Sequence, residues 1–295
     1  MQEPPDEDRV RRLLKTILPN GVTELRPVEG TAATWWVGSK HVLRLAPDAP
    51  AARGLRREVR LRDLVRPYVP VAVAACVTAG EWAPGLAYTL DTRLPGASAE
   101  TRDVTAGGEE DLAGLLTGLH AVPVARVAPL GVPKAPPRSL DQLRRDAGGV
   151  VQRLDEDGEF EAVRLKQLTA QAVAQLGPQP DAVLVHHDLK GEHLIVSADG
   201  RVRGVLDWAA AVVGDPAEDI AGLAVAVGAR AAVRSATLAG YGARVCLRGL
   251  WLARCDALLR LAARLHGDEG RPAAVLRVQL ERAWEPILLE LVSDG

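Results

Sequence analysis

Val183–Ile220 reads VLVHHDLKGEHLIVSADGRVRGVLDWAAAVVGDPAEDI. The apolar run Ala182–Val185 predicts a buried strand that ends just before Asp188. His193 lies five residues on and leads into a second apolar run, Leu194–Val196. The turn Ala198-Asp199-Gly200 then returns the chain through Val202, Gly204 and Leu206 to Asp207. A strand, a sharp loop and a hairpin therefore bring Asp188, His193 and Asp207 towards one end of a small sheet.

Phosphoryl transfer from a nucleotide needs such a set. One carboxylate orients the acceptor hydroxyl and takes its proton, while a second carboxylate and a neutral side chain hold magnesium against the triphosphate. The protein-kinase template is H-R-D-L-x-x-x-N followed by a metal-binding Asp before Phe-Gly. His186 stands where that template has His, Asp188 where it has the catalytic Asp, and His193 where it has Asn. Asp207 stands at the metal-binding Asp, with Trp208 in place of Phe.

Leu206-Asp207-Trp208 and the run Gly214-Asp215-Pro216 to Asp219 narrow the match. In order and separation these motifs resemble the aminoglycoside phosphotransferase family of antibiotic and small-molecule kinases, whose pattern is HGDL-x-x-x-N, (I/L)DW and GDP-x-x-D. Several short motifs in sequence carry the resemblance, which no single one would. It implies an α/β (α+β) fold of two protein-kinase-like lobes covering nearly the whole chain. The small N-terminal lobe, 1–93, would bind the nucleotide, and the mainly helical lobe, 94–295, would hold the catalytic and acceptor sites. It further implies γ-phosphate transfer from ATP or GTP to a small-molecule hydroxyl, with Mg²⁺ as cofactor. Asp188 would be the base, Lys190 would meet the γ-phosphate, and His193 and Asp207 would hold the metal.

Two positions depart from the pattern. His187 replaces glycine and adds bulk beside the base, and His193 replaces Asn, a substitution associated with the macrolide phosphotransferase branch and with some others. Imidazole is a poorer magnesium ligand than an amide oxygen, because Mg²⁺ prefers oxygen. These departures motivate a non-enzyme reading, a pseudokinase that binds nucleotide without turnover. A structural histidine pair and a zinc site compete as well, although the histidine spacing matches no standard zinc set and there is no CxxC.

Composition bounds the partners. A net charge of −2 and a pI near 6.3 give no argument for nucleic acid or an anionic membrane. No stretch approaches the ~20 apolar residues that span a bilayer. The start, MQEPPDEDRVRR, lacks the apolar core of a signal peptide. The scattered Cys76, Cys246 and Cys255 suit reduced thiols in a cytoplasmic protein. Oligomeric state is left open.

The small lobe begins with helical spacing over Arg9–Leu18, ended by Pro19-Asn20-Gly21. Strands are predicted over Thr23–Pro27, Thr31–Val37, His41–Leu45, Pro70–Val77 and Leu86–Thr92, and a helix over Ala51–Val65. In such a lobe a strand cation reaches the phosphates, steadied by a helix carboxylate. Arg44 is the candidate cation, sharing a strand face with Val42, and Glu58 is the candidate carboxylate. An ordinary surface ion pair is the competing account. Glu29–Thr34, with Gly30, is the candidate phosphate-covering loop, and a plain hairpin turn is equally compatible with it. Asp91–Gly96 is the expected hinge.

In the large lobe, helices are predicted over Glu109–Ala121, Leu140–Leu154, Phe160–Leu176, Ser235–Gly240, Cys246–Leu265 and Ala273–Leu291. His120 is read as a helix-terminal packing residue, and Asp215 as a helix cap and a brace for the catalytic loop. Asp155–Glu161 holds five acids in seven residues, a solvated connection or a lure for a polycation. The acceptor is expected to be an antibiotic. His193 and a C-terminal half without acidic excess lean to a macrolide, ranked narrowly first. The acidic run leans to an aminoglycoside or basic peptide antibiotic, and an endogenous sugar or amino alcohol stays open.

Overall fold

The computed structural model describes residues 6–18, 24–28 and 33–287. Gly30 and most of the expected phosphate-covering loop lie outside them, as does the end of the last predicted helix. The first lobe is an antiparallel sheet with two helices. Its strand order is β1 (Leu25–Pro27), β2 (Thr34–Val37), β3 (His41–Leu45), β6 (Leu86–Thr92) and β5 (Cys76–Ala83). Strand alternation in β3 sends Leu43 and Leu45 into a core with Val10 and Leu14 of α1 (Glu7–Ile17). Val42 and Arg44 take the other, half-buried face. Asp48 opens α2 (Ala49–Val65) by accepting the Ala51 N–H at 2.8 Å, and Glu58 sits on its buried side.

The second lobe is mainly helical. Its helices are α3 (Ala106–Ala121), the short α4 (Val124–Val127), α5 (Leu140–Glu156), the short α6 (Ala170–Gln175), α7 (Ala217–Val227), α8 (Ala229–Leu238), α9 (Ala243–Leu265) and α10 (Ala273–Ala283). The core runs through α3, α7 and α9, and Trp251 and Trp284 stack edge to face within it at 5.6 Å. His120, at the end of α3, packs edge-on against Tyr241. Among the described residues no single helix is long and apolar enough to cross a membrane.

Three expectations need correction. The segment Val183–Gly214 contributes to two sheets, not one. β8 (Val183–Val185) pairs with β11 (Val212–Gly214), whereas β9 (Leu194–Val196) and β10 (Val202–Val205) join β4 (Ala72–Val73) and β7 (Ala97–Ser98). The predicted strand Pro70–Val77 divides, since β4 pairs with β10 of the second lobe while β5 starts at Cys76 and continues to Ala83. The predicted helix Phe160–Leu176 breaks into a 3-10 segment, Ala162–Gln167, and α6. Leu165 and Leu168 point inward at a spacing of three, which suits the tighter winding, and the Thr169 hydroxyl caps a fresh start at Ala172 N.

α7 must lie close to both α9 and the loop after β8. Gly249 of α9 permits this, since a Cβ there would meet Ile220 Cβ at 2.7 Å and Ala217 O at 2.9 Å. Gly222 does the same against Leu189, whose Cβ would lie 3.2 Å away. Gly249→Ala should therefore lower unfolding stability by about 1–3 kcal/mol, as overpacking does. Urea denaturation reads it, and an unchanged midpoint would show that the helices part freely.

Candidate active site

β8 delivers His186 into the interior, where it is fully buried. Its Nδ1 accepts the Asp188 N–H at 3.3 Å and its Nε2 lies 3.0 Å from Leu206 O. Those partners require the neutral ring with its proton on Nε2. Burial agrees with this, pushing the imidazole down to about 4. One ring thus ties the Asp188 loop to the residue before Asp207, and Trp208 packs edge-on against it at 4.6 Å.

His187 and Asp207 both adopt left-handed backbone, with φ of 66° and 56°. Asp219, on the first turn of α7, holds the loop before Asp188 in that shape. Its Oδ2 accepts the His186 N–H at 2.8 Å and its Oδ1 the His187 N–H at 2.7 Å. Burial drives this carboxyl up to about 7, opposed by those two N–H donors, which favour the ionised form. The expected brace was Asp215, and that assignment is corrected. Asp215 accepts the Ala217 N–H at 3.0 Å, capping α7, and pairs with Arg248 Nε at 2.6 Å. The last Asp of the GDP-x-x-D run was the available signal for Asp219.

The loops bring Asp188, Lys190, His193 and Asp207 together. Lys190 Nζ lies 2.6 Å from Asp188 Oδ1. His193 Nδ1 donates to Asp188 O at 2.8 Å, which leaves the Nε2 lone pair facing Asp207 Oδ2 at 3.7 Å. One ligand atom from each of Asp188, His193 and Asp207 falls within 4.8 Å of the others. Two carboxylates and one imidazole form a donor set that fits a divalent cation, with the oxygens suited to Mg²⁺. Glu192 also approaches His193 Nε2, at 3.8 Å, but Arg271 pairs with Glu192 and with Glu100. No motif or periodicity marks that arginine, which comes from the loop between α9 and α10.

In the first lobe Arg44 and Glu58 meet as a two-point pair, Nη1 to Oε2 at 2.8 Å and Nη2 to Oε1 at 3.0 Å. Glu58 is 2% exposed, which rules out an ordinary surface pair. Asp91 of β6, not anticipated, takes the other edge of the guanidinium, with Nε at 3.1 Å and Nη2 at 3.0 Å from Oδ2. Val42 is half-buried on the same strand face and lies opposite Asp91 in register.

Beside Asp188 opens a cleft of about 160 Å³ between the Asp188 loop, α7 and α9. Leu189, Ala221, Val225 and Ala253 give it an aliphatic wall. Its carboxylates are already paired. Arg138 binds Glu218 through Nη2 at 2.7 Å and Asp256 through Nη1 at 2.9 Å. The acidic run lies elsewhere, at the far end of α5 from Arg138. Those 17 residues span about 25 Å at the helical rise. Within the run, Glu159 is paired with Arg277 at 2.5 Å.

The fold matches solved phosphotransferases along nearly its whole length. Aminoglycoside 2'-phosphotransferase-IIIa, in its GDP complex, gives a TM-score of 0.68 at 17% identity over 95% of this chain and 99% of that one. A macrolide 2'-phosphotransferase from Brachybacterium faecium gives 0.61 at 23% identity over 94% and 99%. Viomycin phosphotransferase of Streptomyces vinaceus is 28% identical over 162 residues, 52% of this chain. The match spans about half of that relative, 55% of its length. Residues 24–258 match the model of the phosphotransferase enzyme family, and the chain belongs to that family.

Proposed function

We propose that the protein transfers the γ-phosphate of ATP or GTP to a hydroxyl of a small-molecule antibiotic. The observation that carries this reading is the convergence of Asp188, His193 and Asp207 within 4.8 Å, with Lys190 against the same Asp188. Asp188 orients the acceptor hydroxyl and accepts its proton, because its carboxylate borders the aliphatic cleft. Lys190 lies where it can stabilise charge on the transferred group. His193 Nε2 and Asp207 would hold Mg²⁺, which when bound offsets the negative charge of the triphosphate. Arg44, steadied by Glu58, meets the nucleotide phosphates from the 1–93 lobe, with Val42 on the same strand face. The GDP bound by the aminoglycoside 2'-phosphotransferase supports a purine nucleotide donor. Dependence on such a donor supports a cytoplasmic place of action.

For the acceptor, a macrolide is the favoured class. Its single positive charge and large apolar surface suit a cleft with an aliphatic wall and carboxylates already paired to Arg138. The position of the acidic run supports the same choice, since it lies away from the cleft. A second reading rests on the identity with viomycin phosphotransferase and makes viomycin the acceptor.

A panel of macrolides, aminoglycosides and viomycin, incubated with ATP or GTP and read by mass, tests both. A macrolide should gain one phosphate, with kcat/KM nearly flat in salt, because apolar burial is little affected by screening. Asp188→Asn should nearly abolish that transfer while nucleotide affinity holds. Turnover of viomycin alone, falling steeply with salt, would select the second reading.

The metal assignment makes its own prediction. His193→Asn keeps a donor for Asp188 O and offers an amide oxygen to the cation, so the Mg²⁺ concentration for half-maximal activity should stay level or fall. Asp207→Ala should raise it by about tenfold or more. A His193→Asn enzyme that needs far more Mg²⁺ would show the imidazole to be the better adapted ligand.

A further inference from the structure

Arg44 does not stand in a simple pair. A guanidinium carries five N–H donors in one plane. Two of them, from Nη1 and Nη2, bond Glu58 end-on, and a third, from Nε, bonds Asp91 Oδ2, to which Nη2 also lies close at 3.0 Å. Among the described residues the second N–H of Nη1 has no partner. Asp91 is itself fixed on every side. Arg62 Nη2 reaches its Oδ1 at 2.8 Å, and the Thr89 hydroxyl donates to Oδ2 at 3.0 Å. Glu58, Arg62 and Asp91 are all 3% exposed or less, while the Arg44 side chain is 22% exposed. Two cations and two anions therefore form a closed, neutral network with one open face, at Arg44.

We propose that Asp91 is a positioning residue for phosphoryl transfer, clamping the second edge of Arg44 so that one fixed N–H is presented to the donor's phosphates. Glu58 alone would leave the guanidinium free to swing about their shared axis. Asp91 removes that freedom, and Arg62 neutralises Asp91 so that its charge does not repel the triphosphate. A lysine in place of Arg44 has no second edge to clamp, so the role depends on this arginine. The inference rests on the reading of Arg44 as the phosphate-binding cation.

A double-mutant cycle over Asp91→Asn and Arg44→Lys tests it. Phosphate transfer is measured at saturating Mg-nucleotide, with the best acceptor of the antibiotic panel, or with water if no antibiotic is turned over. Nucleotide affinity is titrated in parallel. Asp91→Asn should lower kcat about tenfold. Nucleotide KM should hold or fall, because an anion has been removed from the site. In the Arg44→Lys background the same change should alter kcat by less than about twofold. Thr89→Val, which deletes one bond to the same oxygen without an added charge, should lower kcat about threefold in the wild-type background only. It serves equally if Asp91→Asn does not fold. An equal loss in both backgrounds would make Asp91 a structural cement and overturn the proposal, as would an unchanged kcat with Arg44 present. A wild-type chain that binds neither ATP nor GTP would overturn the proposed function as well.

Discussion

The first turn of α7 holds the second lobe's working parts together, and its anchor is the buried pair Asp215–Arg248. Their side chains are 0% and 3% exposed, with Oδ2 and Nε 2.6 Å apart. Such a pair is costly to desolvate, and it persists because every remaining polar group is used. Asp215 Oδ1 caps α7, while Arg248 donates to Leu176 O at 3.1 Å and Arg138 O at 2.7 Å. Three residues on from Asp215, Glu218 holds Arg138, and the next residue, Asp219, holds the loop before Asp188. Removing either partner of the anchor would leave a buried charge, typically ~3–5 kcal/mol, and would release three elements at once.

Electrostatic closure recurs in both lobes. Arg44, Arg62, Glu58 and Asp91 sum to zero, and so do Lys190 and Asp188. Arg138 is shared by two carboxylates. The protein thus prepares its site with charges that are mostly neutralised and held in place. Asp207 is the exception, with its side chain 47% exposed and facing His193. That asymmetry leaves the exposed carboxylate at the junction of the Asp188 loop and the hairpin, where Asp188, His193 and Asp207 converge. α2 reaches the same junction, since Arg57 Nη2 donates to Ala209 O at 3.0 Å.

Local chemistry was legible in the sequence wherever it was written in neighbouring residues. Motif spacing brings Asp188, His193 and Asp207 together, and the resemblance to a kinase-like lobe pairs Arg44 of a strand with Glu58 of a helix, as the structure has them. The missed contacts join residues far apart in the chain. Asp91 meets Arg44 across 47 positions, and Asp256 meets Arg138 across 118. Periodicity has no term for such separations. Asp91 nevertheless left a trace, because it ends a run of buried residues in β6 and a carboxylate there demands cations. Leu165 and Leu168 fit both periods, so spacing alone does not separate the 3-10 segment before α6 from an α-helix.

Backbone strain is concentrated at the two ends of one histidine. His187 and Asp207, both non-glycine residues in left-handed conformation, each carry about 1–2 kcal/mol of steric cost. Such conformations persist only where surrounding bonds over-determine them. Asp219 supplies two of those bonds to the His186–His187 backbone, and His186 Nε2 supplies another to Leu206, the residue before Asp207. The neutral ring is essential to this coupling. A second proton on Nδ1 would turn its acceptor for the Asp188 N–H into a donor and break the link. Burial, by keeping His186 uncharged, therefore fixes the relative position of Asp188 and Asp207, which lie on separate loops of separate sheets.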